Sequence, residues 1–424
     1  MTILISYIPV KKCRRILLQL YRTDDVKTWL LISLLFLGAL LPAPLLGQAH
    51  TTITLSPYAR ISLLTCSPGS EIYSYFGHCA IRVYDPVANY DRVFNYGTFS
   101  FNQPNFYLKF IRGRLLYSLS VNSFNNFVAE YESDNRWVIE QVLQLSEKDR
   151  QIFFDRLMVN ALPQNRSYLY DFFFDNCATR PRDLLEQSFP NRLFFPDSLT
   201  PANPSFRQLI DPYIVKNAWV DFGIDLILGL PTDRKASARE YMFLPDYLMN
   251  AFANAQIADS TGNKIALVQQ TNQIVETTPQ ISKTPFFTPT LALCIILVIG
   301  IIITFFQLKN KNINPWFDFV LFSICGLMGL LFLFLWFGTD HKVLVRNFNI
   351  IWAFPLHIIA SALLLAERTP SWVGVYFGIF ALIGTLLLLT WFWLPQQLPN
   401  ALLFLVTLLT LRAALLFKLY QASG

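Results

Sequence analysis

Five stretches in the last third of the chain, at about 286–306, 316–337, 349–366, 373–394 and 401–418, are almost uninterrupted in apolar residues. Each is close to the roughly 20 residues a helix needs to cross the hydrocarbon of a bilayer. Lipid offers the backbone no hydrogen-bond partners, so segments of this kind are restricted to helix. The hydrophobic share of 53%, with 38 Phe, reflects this concentration. The chain therefore reads as an all-α transmembrane domain of about five helices, residues 285–424, joined to a more polar domain. The net charge of +6 does not point to nucleic acid, because the basic residues are dispersed and many flank apolar segments. That placement fits topology signals and contact with anionic lipid.

The other end of the chain sets the orientation. Residues 1–28 carry Lys11, Lys12, Arg14, Arg15, Arg22 and Lys27, and the apolar run Trp29 to Leu46 leads to Gly47-Gln48-Ala49. This is the pattern of an export signal over residues 1–49, either cleaved or retained as an anchor. Residues 50–284 are then exported, and five crossings return the C-terminus to the inside. Lys309, Lys311, Arg368 and Lys418 fall inside as the charge rule requires, whereas Lys342 and Arg346 fall outside. Asp318 and Arg412, near segment ends, are expected to reach the membrane interface by snorkelling. The loop Gly338 to Asn349 is the most polar part of the membrane domain and faces the exported side, where Asp340 and His341 are open between loop polarity and a role at the site.

The exported part reads as strands first, with helices around and after them, which is an α+β arrangement. Short β-favouring runs occur at Thr51–Leu55, Arg60–Thr65, around His78, at Arg92–Tyr96, Leu115–Val121 and Val138–Leu145. Pro104–Arg112 reads as a short helix ended by Gly113. It presents Phe106, Tyr107, Lys109, Phe110 and Arg112, an aromatic and basic mixture that suits either a membrane surface or core aromatics beside solvated lysine and arginine. Ser146 caps a helix over Glu147–Ala161, and Pro245 opens another over Asp246–Ala255. Residues 190–285 look otherwise irregular, and 258–284, rich in Thr, Gln and Asn, look like a tether with a small hairpin.

Six cysteines occur without any C-x-x-C spacing, so neither a metal site nor a cofactor is expected. Cys66, Cys79 and Cys177 share the exported part. A Cys66–Cys79 disulfide is an alternative to two buried thiols, and the thiols are favoured. Cys177 lies where the aromatic, strand-like run Tyr170–Phe174 gives way to a helix start, capped by Asn176 or opened at Pro181 behind Thr179 or Arg180. Unpaired N–H groups and the dipole at a helix N-terminus stabilise a thiolate. About a hundred residues upstream, Phe76-Gly77-His78-Cys79-Ala80-Ile81 reads as a strand that turns Cys79 and Ile81 to the core and His78 to the other face. A cysteine with a histidine supports acyl transfer through a thioester.

The blocks Leu63-Leu64-Thr65-Cys66-Ser67-Pro68-Gly69, Phe76-Gly77-His78, Phe94-Asn95-Tyr96-Gly97-Thr98-Phe99 and Asp175-Asn176-Cys177-Ala178-Thr179-Arg180 together resemble the Lnb-type bacterial lipoprotein N-acyltransferase family. The wider resemblance is to the circularly permuted papain-like (NlpC-like) thiol superfamily. It implies a periplasmic thiol domain fused to the helical membrane domain, in a bacterial inner membrane. The implied activity moves an acyl chain from a phospholipid donor to the α-amino group of a diacylated apolipoprotein. Cys177 matches the nucleophile and His78 the base. A third polar residue orients the histidine in the superfamily, and Asn95 is the candidate, with Asp85 as competitor. Tyr75, Asn176, Arg180, Lys109, Arg112 and His341 are the candidate substrate contacts. The rival readings are a membrane-tethered cysteine hydrolase of peptidoglycan peptides or lipid esters, and a non-catalytic membrane-anchored scaffold.

Overall fold

The computed structural model describes residues 53–197, 203–278 and 286–421; the export-signal segment lies outside them. The exported domain is built on a seven-stranded sheet. Its strands are β1 (Arg60–Cys66), β2 (His78–Asp85), β3 (Tyr90–Thr98), β4 (Leu116–Ser123), β5 (Val138–Leu143), β6 (Ser167–Leu169) and, after the short three-stranded sheet of β7 (Leu193–Phe194), β8 (Gln256–Ala258) and β9 (Lys264–Ala266), β10 (Val268–Val275). The order is β10-β5-β1-β2-β3-β4-β6, with every pairing antiparallel. Central β1 reads Ile-Ser-Leu-Leu-Thr-Cys after its first residue, and all six are buried, as expected of a strand covered on both faces.

Around the sheet lie helices α1 (Phe106–Ile111), α2 (Phe124–Ser133), α3 (Glu147–Ala161), α4 (Thr179–Ser188), α5 (Phe206–Ile214), α6 (Ala218–Ile227), α7 (Ala238–Tyr241) and α8 (Pro245–Asn254). The Ser146 side chain accepts from Asp149 N at the start of α3, as its sequence requires. Three expectations need correction. Residues 53–55 are not in a strand. The Thr/Gln/Asn-rich stretch is no tether, because β8 and β9 form the small hairpin and β10 pairs along β5 at the sheet edge. Its glutamines face solvent on an edge strand, while Asn272 is half-buried against Glu140 and Val275 is buried, so polarity concealed a strand. The stretch from 190 on is not irregular either: α5 opens with a capping box at Ser205 and Gln208, and α6 continues it. Arg207 of α5 is fully buried, donating to Asp225 and Asp233.

The membrane domain contains α9 (Pro289–Lys309), α10 (Trp316–Phe337), α11 (His357–Ala362), α12 (Ser371–Thr390) and α13 (Leu402–Gln421). Among the described residues, four helices are each long and apolar enough to cross a membrane as one unbroken helix. The third apolar segment is broken into a short 3-10 turn at Phe348–Ile351, α11, and another turn at Leu363–Leu365. Pro355 accounts for the break, since proline disfavours helix in the residue before it. This segment still runs the length of α10 in the opposite direction. A Cβ at Gly329 would collide with Ala353 O, one at Gly326 would meet Ile358, and Ser323 Oγ lies 3.0 Å from Ser361 Oγ. Broken backbone at this depth needs internal partners: His357 Nε2 reaches Trp352 O at 3.2 Å, and Tyr376 OH bonds His357 Nδ1 at 2.7 Å.

Asp318 and Arg412 do not snorkel. Both are wholly buried and face each other, with Arg412 Nε and Nη2 donating to the Asp318 carboxylate at 2.7 and 2.6 Å. Thr304 and Gln307 of α9 accept two further guanidinium N–H groups. The pair ties α9, α10 and α13 together.

The two domains are joined by polar and apolar contacts. Gly229 N donates to Val343 O at 2.8 Å, Asn347 Nδ2 to Leu226 O at 2.8 Å, and Gln396 Nε2 to Leu228 O at 3.1 Å. Phe173, Phe206 and Phe243 of the exported domain share one buried cluster with Leu335 and Leu344 of the membrane domain. The residues just before Cys177 are thereby seated on the membrane domain.

Candidate active site

His78 begins β2, and Gly77 before it has φ +77°, where a Cβ would lie 2.8 Å from Cys66 O. Only glycine lets the chain enter the strand this close to β1. Continuing the register from Ile81↔Phe94 puts Ala80 opposite Asn95, so His78 and Asn95 are diagonal neighbours on one face. His78 Nε2 lies 2.6 Å from Asn95 Oδ1. A carbonyl oxygen only accepts, so Nε2 carries the proton and Nδ1 is left with a free lone pair. Asp85, the competitor, is at the far end of β2, roughly 23 Å along the strand. It is fully buried and accepts from Ser56 N, Ser56 Oγ, Val87 N and Ala88 N. It holds a turn.

Beyond Asn95 the pairing of β3 with β4 shifts, and Gly97 takes φ +88°. Irregularities of this kind re-aim a strand next to a site. A Cβ on Gly97 would lie 3.5 Å from Cys177 Cβ, 3.7 Å from the Tyr170 ring and 4.0 Å from His78 Cε1. Gly97 thus marks the place where thiol and imidazole, a hundred residues apart in sequence, come together.

Cys177 is buried in a tight loop, not at the end of a strand: Asp171 N donates to Asp175 O, and Phe174 N to Asp171 O. The helix begins at Thr179, ahead of Pro181. Asn176 is the residue that makes the turn. Its Oδ1 accepts from Ala178 N and Thr179 N at 2.8 and 2.9 Å, while its Nδ2 donates to Phe172 O and Phe243 O at 2.7 and 2.8 Å. Backbone N–H groups of Cys79, Cys177 and Ala178 favour the thiolate, but burial outweighs them and pushes the thiol up to about 11. Burial likewise lowers His78 to about 4, against the Asn95 hydrogen bond that raises it. At neutral pH the pair is therefore thiol and imidazole, not thiolate and imidazolium. Cys66 and Cys79 are both free and buried, so no disulfide joins them.

Arg136 acts on the site through its charge although nothing in its local sequence marks it. The side chain is buried, its Nε donates to Ser67 O at 2.8 Å, and it packs on the Tyr131 ring. Among the described residues no carboxylate pairs with it and its Nη2 has no hydrogen-bond partner. Its charge favours the thiolate of Cys177 and disfavours protonation of His78.

The six candidate substrate contacts separate. Arg180 and His341 line one cavity of about 670 Å3, with Tyr170, Asp340 and Lys342. Tyr170, which touches Gly97, connects the cavity wall to the thiol. Arg180 is already held by Asp175 at 2.6 and 2.8 Å and lies over the Tyr168 ring. His341 packs on Gly113 and reaches Phe110 O at 3.2 Å. Lys109 on α1 and Arg112 just after it lie outside the cavity. Tyr75 OH accepts from Asn217 Nδ2 at 3.1 Å. Asn176 is buried, with both polar atoms of its side chain engaged in the protein, so it supports the loop and does not face a ligand.

Comparison with protein families returns two matches, the Lnb N-terminal periplasmic domain over residues 49–209 and the Lnb transmembrane domain over residues 281–423. The chain belongs to the Lnb family. The two matches meet the two halves of the structure, one covering the sheet through β6 together with the Cys177 loop, the other covering α9 to α13. The Lnb chain is thus a membrane protein with a periplasmic domain. Neither curated proteins nor solved structures give a match.

Proposed function

We propose that this Lnb protein is a lipoprotein N-acyltransferase of the bacterial inner membrane. It would carry an acyl chain from a phospholipid to the α-amino group of a diacylglyceryl-cysteine apolipoprotein, as a thioester on Cys177. The observation that carries the reading is a buried thiol beside a His78–Asn95 pair, in a loop whose preceding residues are packed on the membrane domain. A lipid-linked donor and acceptor require a thiol at the membrane, and a thioester that must not hydrolyse requires burial.

In the first half-reaction His78 Nδ1 takes the thiol proton as the sulfur attacks the ester carbonyl. The backbone N–H groups of Cys79 and Cys177 favour negative charge on the sulfur and suit the developing oxyanion. The ester C–O bond breaks, His78 gives its proton to the leaving alcohol, and a lysophospholipid departs. In the second, the α-amino group of the acceptor attacks the thioester carbonyl, an amide forms, the C–S bond breaks and the amine proton returns through His78 to sulfur.

The test is the purified protein in proteoliposomes with acyl-labelled phospholipid and a diacylated lipopeptide. Mass spectrometry of the lipopeptide is expected to show one added acyl group with the wild type and none with Cys177→Ala. Labelled fatty acid released to water with an unmodified lipopeptide would make the protein a hydrolase. Acylation by both proteins would remove the thioester from the mechanism.

A further inference from the structure

The surface between the thiol and the membrane domain is unusually aromatic for the exterior of an exported domain. Tyr107, Tyr73 and Phe101 are 76%, 69% and 64% exposed, and Leu108 and Phe110 are more than half exposed. Singly such residues need no explanation, but contiguous apolar patches on a protein surface mark an interaction site.

These residues are contiguous. Phe106 packs on Phe110, Phe101 and Phe99, with ring centroids 6.4, 4.9 and 6.0 Å away. Phe99 packs on Tyr117 at 5.1 Å, and Tyr117 stacks on Tyr170 at 4.3 Å. Tyr170 reaches Gly97 beside Cys177. A row of rings therefore leads from the exposed face of α1 to the thiol.

The depth of this face relative to the membrane follows from its attachments. Arg114 Nε and Nη2 donate to the Asp340 carboxylate, Asp340 N donates to Arg112 O at 3.0 Å, and His341 packs on Gly113. Asp340 stands three residues beyond Phe337, the last residue of α10, so α1 ends within roughly 10 Å of a membrane-crossing helix. Trp336 and Phe337 at that end, and the exposed Phe392 and Trp393 after α12, form the aromatic belt that marks a lipid–water boundary. Lys109 on α1, with Lys342 and Arg346 in the loop, puts positive charge where anionic headgroups lie.

We propose that the aromatic face of α1 and the Phe99–Phe101 turn is a lipid-binding surface. It beds into the leaflet on which the periplasmic domain stands, and the row Phe106–Phe99–Tyr117–Tyr170 guides an acyl chain from that leaflet to Cys177. The bedding rests on geometry alone; the guidance rests on the acyl-transfer reading above.

The full-length protein in phosphatidylethanolamine–phosphatidylglycerol vesicles tests the first part, with benzoylphenylalanine introduced separately at Tyr107, Phe101 and Val87. Val87 is equally exposed but lies beyond Asp85, at the opposite end of β2 from His78. Photolysis is expected to give phospholipid adducts at Tyr107 and Phe101 and none at Val87. Adducts at none of the three, or at all three alike, would overturn the surface. For the second part, Phe101→Ser/Tyr107→Ser is expected to raise KM for vesicle-borne donor at least about tenfold more than for a short-chain water-soluble ester, since burying one aromatic ring is worth about that factor or more. Equal effects on both donors would overturn the guidance. If wild-type Cys177 is acylated by neither donor, the acyl-transfer reading and the guidance fail together, while the crosslinking result still decides the lipid surface.

Discussion

Burial acts against both charged forms in the thiol site, and each residue there answers to that. With His78 near 4, below the usual 6.5, the imidazole remains an unprotonated base well into acid solution. The pH profile of kcat/KM for acylation is therefore expected to stay level from neutrality down to about pH 5 and to fall as pH approaches His78's pKa of about 4, because protonation removes the base. An acid limb near the ordinary value of histidine would show that the ring is solvated. Asn95→Ala removes the acceptor on Nε2–H, freeing the ring to rotate and change tautomer. A loss in kcat on the order of tenfold or more is expected, with thermal stability near wild type. Arg136→Met withdraws a positive charge that favours the Cys177 thiolate. At mildly alkaline pH, alkylation of Cys177 by iodoacetamide, read on its peptide by mass spectrometry, should slow; an unchanged rate would show that Arg136 serves packing only.

The Cys177 loop is held by Asn176 more than by helix α4 itself. Asn176→Ala deletes four hydrogen bonds and leaves two buried carbonyls and two N–H groups without that partner, so about 2 kcal/mol of stability or more should be lost. A lower Tm in detergent checks this. Gly97→Ala separates support from chemistry. At φ +88° any side chain is strained by about 1 kcal/mol or more, and its Cβ would stand between Cys177 and His78. Activity should fall much further than stability. The histidine strand, the helix from Ser146 and the order of histidine before cysteine were legible, because local pattern sets them. The exact start of α4 and the buried role of Asn176 were not: capping partners such as Phe243 O lie 67 residues away.

For the molecule as a whole, the buried Arg412–Asp318 pair carries the membrane bundle. Arg412→Met leaves an uncompensated buried carboxylate, and breaking such a pair costs about 3–5 kcal/mol. Adding Asp318→Leu should restore most of the lost Tm, since two apolar groups replace two charges; failure of the double variant to recover would show that Thr304 and Gln307 also depend on Arg412. The docking of the domains is a second device on this scale. It uses Asn347, Gln396 and the Asp340–Arg114 contact, and it places a loop of the membrane domain in the wall of the cavity near Cys177.

The apolar segments, the export orientation of the domain and the choice of Cys177 and His78 as the candidate pair follow from sequence, because hydrophobic length and strand alternation are local properties of the chain. Tertiary structure alone decided four matters. Asn95 and not Asp85 meets His78, because register across two strands sets the distance. The third apolar segment is broken, because His357, Tyr376 and the glycines of α10 can satisfy and accommodate a non-helical backbone. Asp318 and Arg412 are buried, because each finds the other across helices 94 residues apart. Arg136 brings its charge toward the thiol, because the pairing of β1 with β5 sets the residues before β5 beside the end of β1. In each case the deciding partner is distant in the chain, and a pairing of that kind leaves no periodic trace in sequence.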